Sequence, residues 1–215
     1  MEDIIIKIKE ASVCFKDFVL EPLSLNIPRG YITCIKGANG AGKSTFLKMI
    51  LGNFPKMKGQ ITVNGMDVIK ERIQILEKTG VVLDEKIFFE NEDAIKNEEY
   101  FSPFYKNWDK EIYRSMLKKM NVSPSKNIGN LSKGERAKYQ LAFSAAYKPE
   151  LLVLDEPAAG LDPVFRKDFF KLLQEFVSEY QATILVSDNI EENLDQITDF
   201  IITIENGKCT YKEVL

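Results

Sequence analysis

The chain has 215 residues, 45% hydrophobic and 28% charged, enough for a domain with a full-sized core. Lys+Arg 29 against Asp+Glu 32 gives a net charge of −3, which is no basic footprint for nucleic acid and too mild for disorder. There is no histidine, which excludes His-based triads, His metal sites and an imidazole proton switch.

The opening MEDIIIKIKE lacks the basic-then-apolar plan of a signal peptide. No apolar run approaches the roughly 20 residues that span a bilayer, so the chain is not expected to cross a membrane itself. Within that opening, IIIKIK alternates apolar and charged residues, the period of a half-exposed strand. Cys14, Cys34 and Cys209 are widely spaced and form no disulfide or metal pattern; they read as buried or semi-buried thiols in a reducing cytosol.

Further strand-like runs follow at Tyr31–Ile35, Ile61–Val63, Gly80–Leu83, Leu151–Leu154, Ala182–Val186 and Phe200–Ile204. Several are uninterrupted apolar runs, as strands covered on both faces require. Helical patterns lie between them. Phe46–Leu51 is helix-like; Ile112, Met116 and Met120 form a stripe in Lys110–Met120. Phe165, Phe169, Leu172, Leu173 and Phe176 form another in Val164–Tyr180. Strands alternating with helices predict an α/β layered core. The stretch from about Asp84 to Leu131 has no convincing strand, and nearly fifty structureless residues would be unusual in a compact domain. It reads as an inserted helical subdomain. Its acidic run Glu90–Tyr100 reads as a solvated face, with a docking surface as the alternative. The sequons at Asn121 and Asn130 are discounted, since nothing else points to secretion.

The chemistry is concentrated in two motifs. Tyr31–Ile35 runs into Gly37-Ala38-Asn39-Gly40-Ala41-Gly42-Lys43-Ser44-Thr45, with helix-like sequence after it. This is a glycine-rich phosphate loop between strand and helix, where the context requires it. The glycines let successive N–H groups turn toward phosphate oxygens, and the helix N-terminus adds partial positive charge. Lys43 supplies a full charge to the β- and γ-phosphates, and Ser44 a hydroxyl for Mg²⁺. The second motif is the apolar strand Leu151–Leu154 ending in Asp155-Glu156-Pro157. A carboxylate at such a strand end is poised for the hydrated Mg²⁺, and Glu156 can reach the attacking water.

Together these residues resemble the ATP-binding cassette family, the nucleotide-binding subunits of ABC transporters, over essentially the whole chain. Leu131-Ser132-Lys133-Gly134-Glu135, upstream of the Asp155-Glu156 strand, is similar to the family signature. By itself it is a helix N-cap with Glu three residues on, a capping box. The resemblance implies instead that it closes over the γ-phosphate bound by an opposite subunit. Ala159-Gly160-Leu161-Asp162-Pro163 looks like the interface loop that follows the catalytic carboxylate. Phe15 sits where the family stacks an aromatic on adenine, the alternative being an ordinary core aromatic. The implied fold is α/β, a P-loop NTPase of ABC type: a RecA-like core, an N-terminal antiparallel β-subdomain and a helical insertion at about 84–145, all one domain over 1–215.

Three residues depart from the family pattern: Asp84, Asp188 and Lys133. Asp84 stands where a glutamine usually reaches Mg²⁺ and the water, so a carboxylate there could still serve the ion with Ser44 and Asp155. Asp188, after the strand Ala182–Val186, stands where the family usually has a histidine on the γ-phosphate. Two like charges 4 Å apart cost about 4 kcal/mol at an effective dielectric of 20, an upper figure that leads to expecting ATP binding more firmly than fast hydrolysis. Lys133 replaces the usual glycine of the signature, a variant associated with some bacterial exporter-type subunits. The leading expectation is therefore a Mg²⁺-dependent ATPase that powers a separate membrane-spanning permease. It would act as a homodimer or heterodimer on the cytoplasmic face, with no nucleic-acid partner. The alternative is a slowly hydrolysing regulatory half of a heterodimer.

Overall fold

The computed structural model describes residues 3–159, 161–188 and 197–214. Two sheets organise them. The first is antiparallel: β1 (Ile4–Cys14) lies between β2 (Val19–Pro28) and β4 (Lys58–Val63), with β5 (Met66–Asp67) at the edge. The alternation expected for IIIKIK holds only from Ile6 to Lys9; a register shift between Ile4 and Ile6 buries Ile5 and Ile6 together, and further shifts around Ala11 place Ala11, Ser12 and Val13 consecutively inside. The shift leaves Cys14 facing solvent. Cys14 is exposed, Cys34 buried and Cys209 intermediate, which corrects the expectation of three covered thiols.

The second sheet has the order β10-β9-β3-β8-β7-β6. Its strands β3 (Ile32–Lys36), β6 (Thr79–Val82), β7 (Leu151–Asp155), β8 (Thr183–Ser187) and β9 (Phe200–Glu205) run parallel. The edge strand β10 (Lys208–Glu213) returns antiparallel through a tight turn at Asn206-Gly207. Strands β2 and β10 were not legible in the sequence. Pro22 lies inside the first and Pro28 ends it, leaving only the short alternation Leu23-Ser24-Leu25-Asn26-Ile27 between them, and the second is a polar edge without an apolar run.

The parallel strands feed two cores by alternation. Leu152, Leu154, Ile184, Val186, Ile32 and Cys34 face one; Leu151, Val153, Leu185 and Ile35 face the other. The second core holds α1 (Lys43–Ile50), whose Phe46, Leu47, Met49 and Ile50 are fully buried between the sheets. Burying each such side chain is worth roughly 1.5–3 kcal/mol, so the helix beside the glycine loop cannot drift. On the other face pack α5 (Lys133–Ala145) and α6 (Pro163–Tyr180), the latter burying Phe169, Leu172, Leu173 and Phe176 as its stripe predicts.

β6 and β7 are neighbours in the sheet, yet the chain between them carries α3 (Ala94–Phe101), α4 (Lys110–Lys119) and α5, and among the described residues no strand. Short α2 (Arg72–Leu76) precedes β6. The excursion is held by aromatics around Phe143 of α5, with ring centroids 4.6 Å from Trp108, 4.9 Å from Phe88 and 5.8 Å from Tyr105. Asp93 and Asp109 cap α3 and α4 through their side chains. Among the described residues no helix is long and apolar enough to cross a membrane. Phe143→Ala is expected to destabilise the protein by about 3–5 kcal/mol in urea unfolding, since it removes the ring that the surrounding aromatics share.

Candidate nucleotide site

The glycine loop leaves β3 at Lys36 and enters α1 at Lys43. Two of its glycines are required by space as well as conformation. A Cβ on Gly37 would lie 2.5 Å from the Ile204 carbonyl oxygen on β9, and one on Gly42, at φ +113°, would lie 2.5 Å from the Phe18 ring. Gly42 is the N-cap of α1, and no described side chain caps that end. The first-turn amides are thus positioned to receive an anion.

Lys43 is buried. Its Nζ donates to the carbonyls of Gly37 at 2.9 Å and Ala38 at 3.3 Å, and lies 3.6 Å from Glu156 Oε1. One recess therefore holds Lys43, Ser44, Thr45, Gly40, Gly42, Phe15, Phe18 and Glu156. Asn39 and Ala41 line the adjoining recess with Gly37 and Ala38. Phe15 is 42% exposed at the rim, edge-on to Phe54 at 5.4 Å, so the core-aromatic alternative does not describe it.

Asp155 ends β7, and its Oδ1 accepts from the Ser187 hydroxyl at 2.6 Å. Glu156 follows with φ +47°, a left-handed conformation that costs a non-glycine residue about 1–2 kcal/mol. Its N–H is held there by Ser187, donating to Oγ at 3.0 Å and to the carbonyl at 3.1 Å. Ser187 carries no signal in the sequence, because its role depends on strand register alone.

Asp84, just beyond β6, ion-pairs with Lys133 Nζ at 2.9 Å. It shares a recess with Asp155 and Glu156, but the described residues hold no cluster of three acidic, Cys or His side chains suited to a metal. Ser44 lines the recess of Lys43 and Glu156, and Asp155 the recess of Asp84 and Glu156; both are oxygen donors of the kind magnesium takes, an ion that keeps several waters and needs only one or two protein oxygens beside phosphate. Gln140 of α5 also escaped the sequence reading. Buried, it clasps the loop that carries Asp84, accepting from Leu83 N–H at 2.7 Å and donating to Leu83 O at 3.0 Å.

At the start of α5, Ser132 and Glu135 form the full capping box: Ser132 Oγ accepts from Glu135 N–H at 3.2 Å, and Glu135 Oε2 from Ser132 N–H at 2.8 Å. The Ser132 amide, and then Lys126, hold the Glu135 carboxyl below the usual carboxylate range. Of the five signature residues, Leu131 and Gly134 are buried, while Ser132 and Lys133 are presented to solvent. Asp162 caps α6 with Pro163 in its first turn; Gly160, in the same loop, lies outside the described residues.

Asp188 follows β8 and is 8% exposed, its N–H donating to Ile35 O at 3.4 Å. It lines the recess beneath the loop together with Lys36, a cation the sequence reading did not weigh. The pairing of Ile35 with Ser187 brings Lys36 and Asp188 out on adjacent strands. Residues 189–196, which follow the Asp188 position, lie outside the described residues.

A strand, glycine loop and helix with a buried lysine, facing a strand-end Asp-Glu pair, define a P-loop nucleoside triphosphatase. Comparison narrows the class. The sequence model of the ABC transporter family matches residues 20–159. The ABC transporter ATP-binding protein NatA of Bacillus subtilis is 32% identical over 199 residues, 90% of this chain and 80% of its own. The bacitracin transport ATP-binding protein BcrA of Bacillus licheniformis is 30% identical over 88% of this chain and 62% of its own length. The structure of cbiO1 from Clostridium perfringens, part of the ABC transporter complex cbiONQ, superposes with TM-score 0.81 at 25% identity over 99% of this chain and 90% of that one. The chain belongs to the ABC transporter family, as an ATP-binding subunit. Gly37→Ala, which drives a Cβ into the β9 backbone, is expected to weaken ATP binding at least about tenfold, or 1.4 kcal/mol, by titration calorimetry.

Proposed function

We propose that this subunit cleaves ATP at the Lys43–Glu156 recess and that two such subunits, alike or homologous, enclose the nucleotide between them to drive a separate membrane-spanning permease. The observation that carries the reading is the 3.6 Å approach of Glu156 to Lys43, which sets a phosphate-binding cation and a water-activating carboxylate in one recess. Lys43 and the α1 amides bind the β- and γ-phosphates; drawing Lys43 toward phosphate frees Glu156 to accept a proton from water. Phe15 stacks on the base from the rim. Ser44 and Asp155 would hold Mg²⁺, which when bound neutralises charge on the β- and γ-oxygens. Ser132 and the α5 N-terminus of the opposite subunit would complete the anion site from across the interface. Asp84 serves the ion in this scheme only after leaving Lys133.

The whole of 1–215 acts as one ATPase domain, and the helical insertion at about 84–145 carries the motion to the permease. Support for that comes from its surface. Phe89, Tyr100 and Phe104 are 54%, 45% and 70% exposed, and Phe89 meets Tyr100 edge-on at 5.3 Å. An apolar patch of this kind suits a helix of the membrane partner, which would hold the chain to the cytoplasmic face of the membrane. Lys133 in the signature supports an exporter-type permease; relatives named for bacitracin and lantibiotic transport support the role of a transporter's ATP-binding subunit.

A second reading rests on Asp188, a carboxylate beside the phosphate loop that makes the chain a slow, regulatory half of a heterodimer. The two readings separate on turnover of the purified protein with its partner. As an enzyme, the wild type hydrolyses ATP, and Glu156→Gln abolishes turnover while ATP still binds. As a regulatory half, the wild type is nearly inert and Asp188→His raises its rate sharply. Absence of any Mg-ATP binding removes both. Phe89→Asp is expected to abolish co-purification with the permease while leaving ATP affinity and melting temperature unchanged.

A further inference from the structure

Ser187 is the last residue of β8 and stands opposite Asp155 in the parallel register. Its side chain is completely buried. A serine hydroxyl has one proton to give and lone pairs to receive. Here the proton goes to Asp155 Oδ1 at 2.6 Å, within the short range of a charge-assisted O–H···O⁻ bond. The lone pair goes to Glu156 N–H at 3.0 Å, a bond the Ser187 carbonyl shares at 3.1 Å. One hydroxyl thus fixes two consecutive residues: the rotation of the Asp155 carboxylate, and the left-handed backbone that aims Glu156 at Lys43.

We propose that Ser187 is a positioning residue for ATP cleavage, fixing the rotation of the Asp155 carboxylate that would hold the metal and the left-handed backbone that sets Glu156 beside Lys43. The inference rests on the reading of this recess as the ATP site. Ser187 lines none of the recesses around the loop that hold Lys43, Asp155 and Glu156, so its effect passes through the two carboxylates. Both bonds are needed from one atom on Cβ, which serine and threonine supply and alanine does not. A β-branched threonine suits a strand end, so it preserves the arrangement.

The test compares the full-length wild type with Ser187→Ala and Ser187→Thr. Three quantities are read: steady-state ATP turnover against Mg²⁺, Mn²⁺ affinity by electron paramagnetic resonance with a non-hydrolysable ATP analogue, and metal-free ATP affinity by calorimetry. Loss of an outer partner of a metal-binding carboxylate typically costs about 10–100-fold, and Ser187→Ala is expected to lower kcat and Mn²⁺ affinity by that order. KM for ATP, metal-free ATP affinity and melting temperature stay near wild type, and Ser187→Thr restores most of kcat. Wild-type kcat and Mn²⁺ affinity in Ser187→Ala overturn the proposal. So does a parallel fall of melting temperature and metal-free affinity that threonine does not rescue, since that marks a purely structural role. If the wild type itself neither binds nor cleaves ATP, the ATP-site reading falls first, and that failure shows before any variant is compared.

Discussion

The parallel register of β3, β8 and β7 is the constraint on which the site depends. Ile35 pairs with Ser187, and Ser187 with Asp155, so three strands end at one level. Gly37 after β3, Asp188 after β8 and Glu156 after β7 all lie one or two residues beyond that level. Parallel strands buried on both faces fix such a register firmly, because a one-residue slip would turn every core side chain to the wrong face. Both hydrophobic cores therefore hold the alignment that sets Glu156 beside Lys43. Ligands of open α/β sheets gather at the carboxyl ends of strands for this reason.

Charge is arranged around the same level. Lys43 is buried against loop carbonyls and Glu156, so an arriving triphosphate competes for a cation already engaged. Each aspartate that departs from the family pattern has a lysine nearby: Asp84 pairs with Lys133 of the signature, and Lys36 lines the same recess as Asp188. The Coulomb cost assigned to Asp188 from sequence took no account of that lysine. The Asp84–Lys133 pair and the Gln140–Leu83 clasp also tie α5 to the end of β6, so the signature helix and the core meet at a hydrogen-bonded joint as well as through packing.

Most of the α/β order was legible, because apolar runs such as Leu151–Leu154 and stripes such as Phe169–Phe176 carry their period in the chain itself. The glycine loop was legible for a similar reason: its residues are consecutive, and their steric need is local. The capping box at Ser132 and Glu135, set aside in favour of the signature reading, is present in the structure, because its spacing is local to one helix turn. Strand β10 was not legible, because its polar edge carries no period of its own; in β2 the alternation Leu23-Ser24-Leu25-Asn26-Ile27 is present but short, closed in by Pro22 and Pro28.

The amino-acid order alone determined which segments become buried strands, where a phosphate could be cradled, and which carboxylates end β7, since all of these follow from near neighbours in the chain. Tertiary structure decided that Ser187 locks Asp155 and Glu156, that Gln140 clasps Leu83, that Asp84 is drawn to Lys133 and that Cys14 faces water. Those four depend on strand register, a shifted β1 pairing and the packing of α5 against the end of β6. The first three join residues far apart in the chain, which only the packed cores bring together.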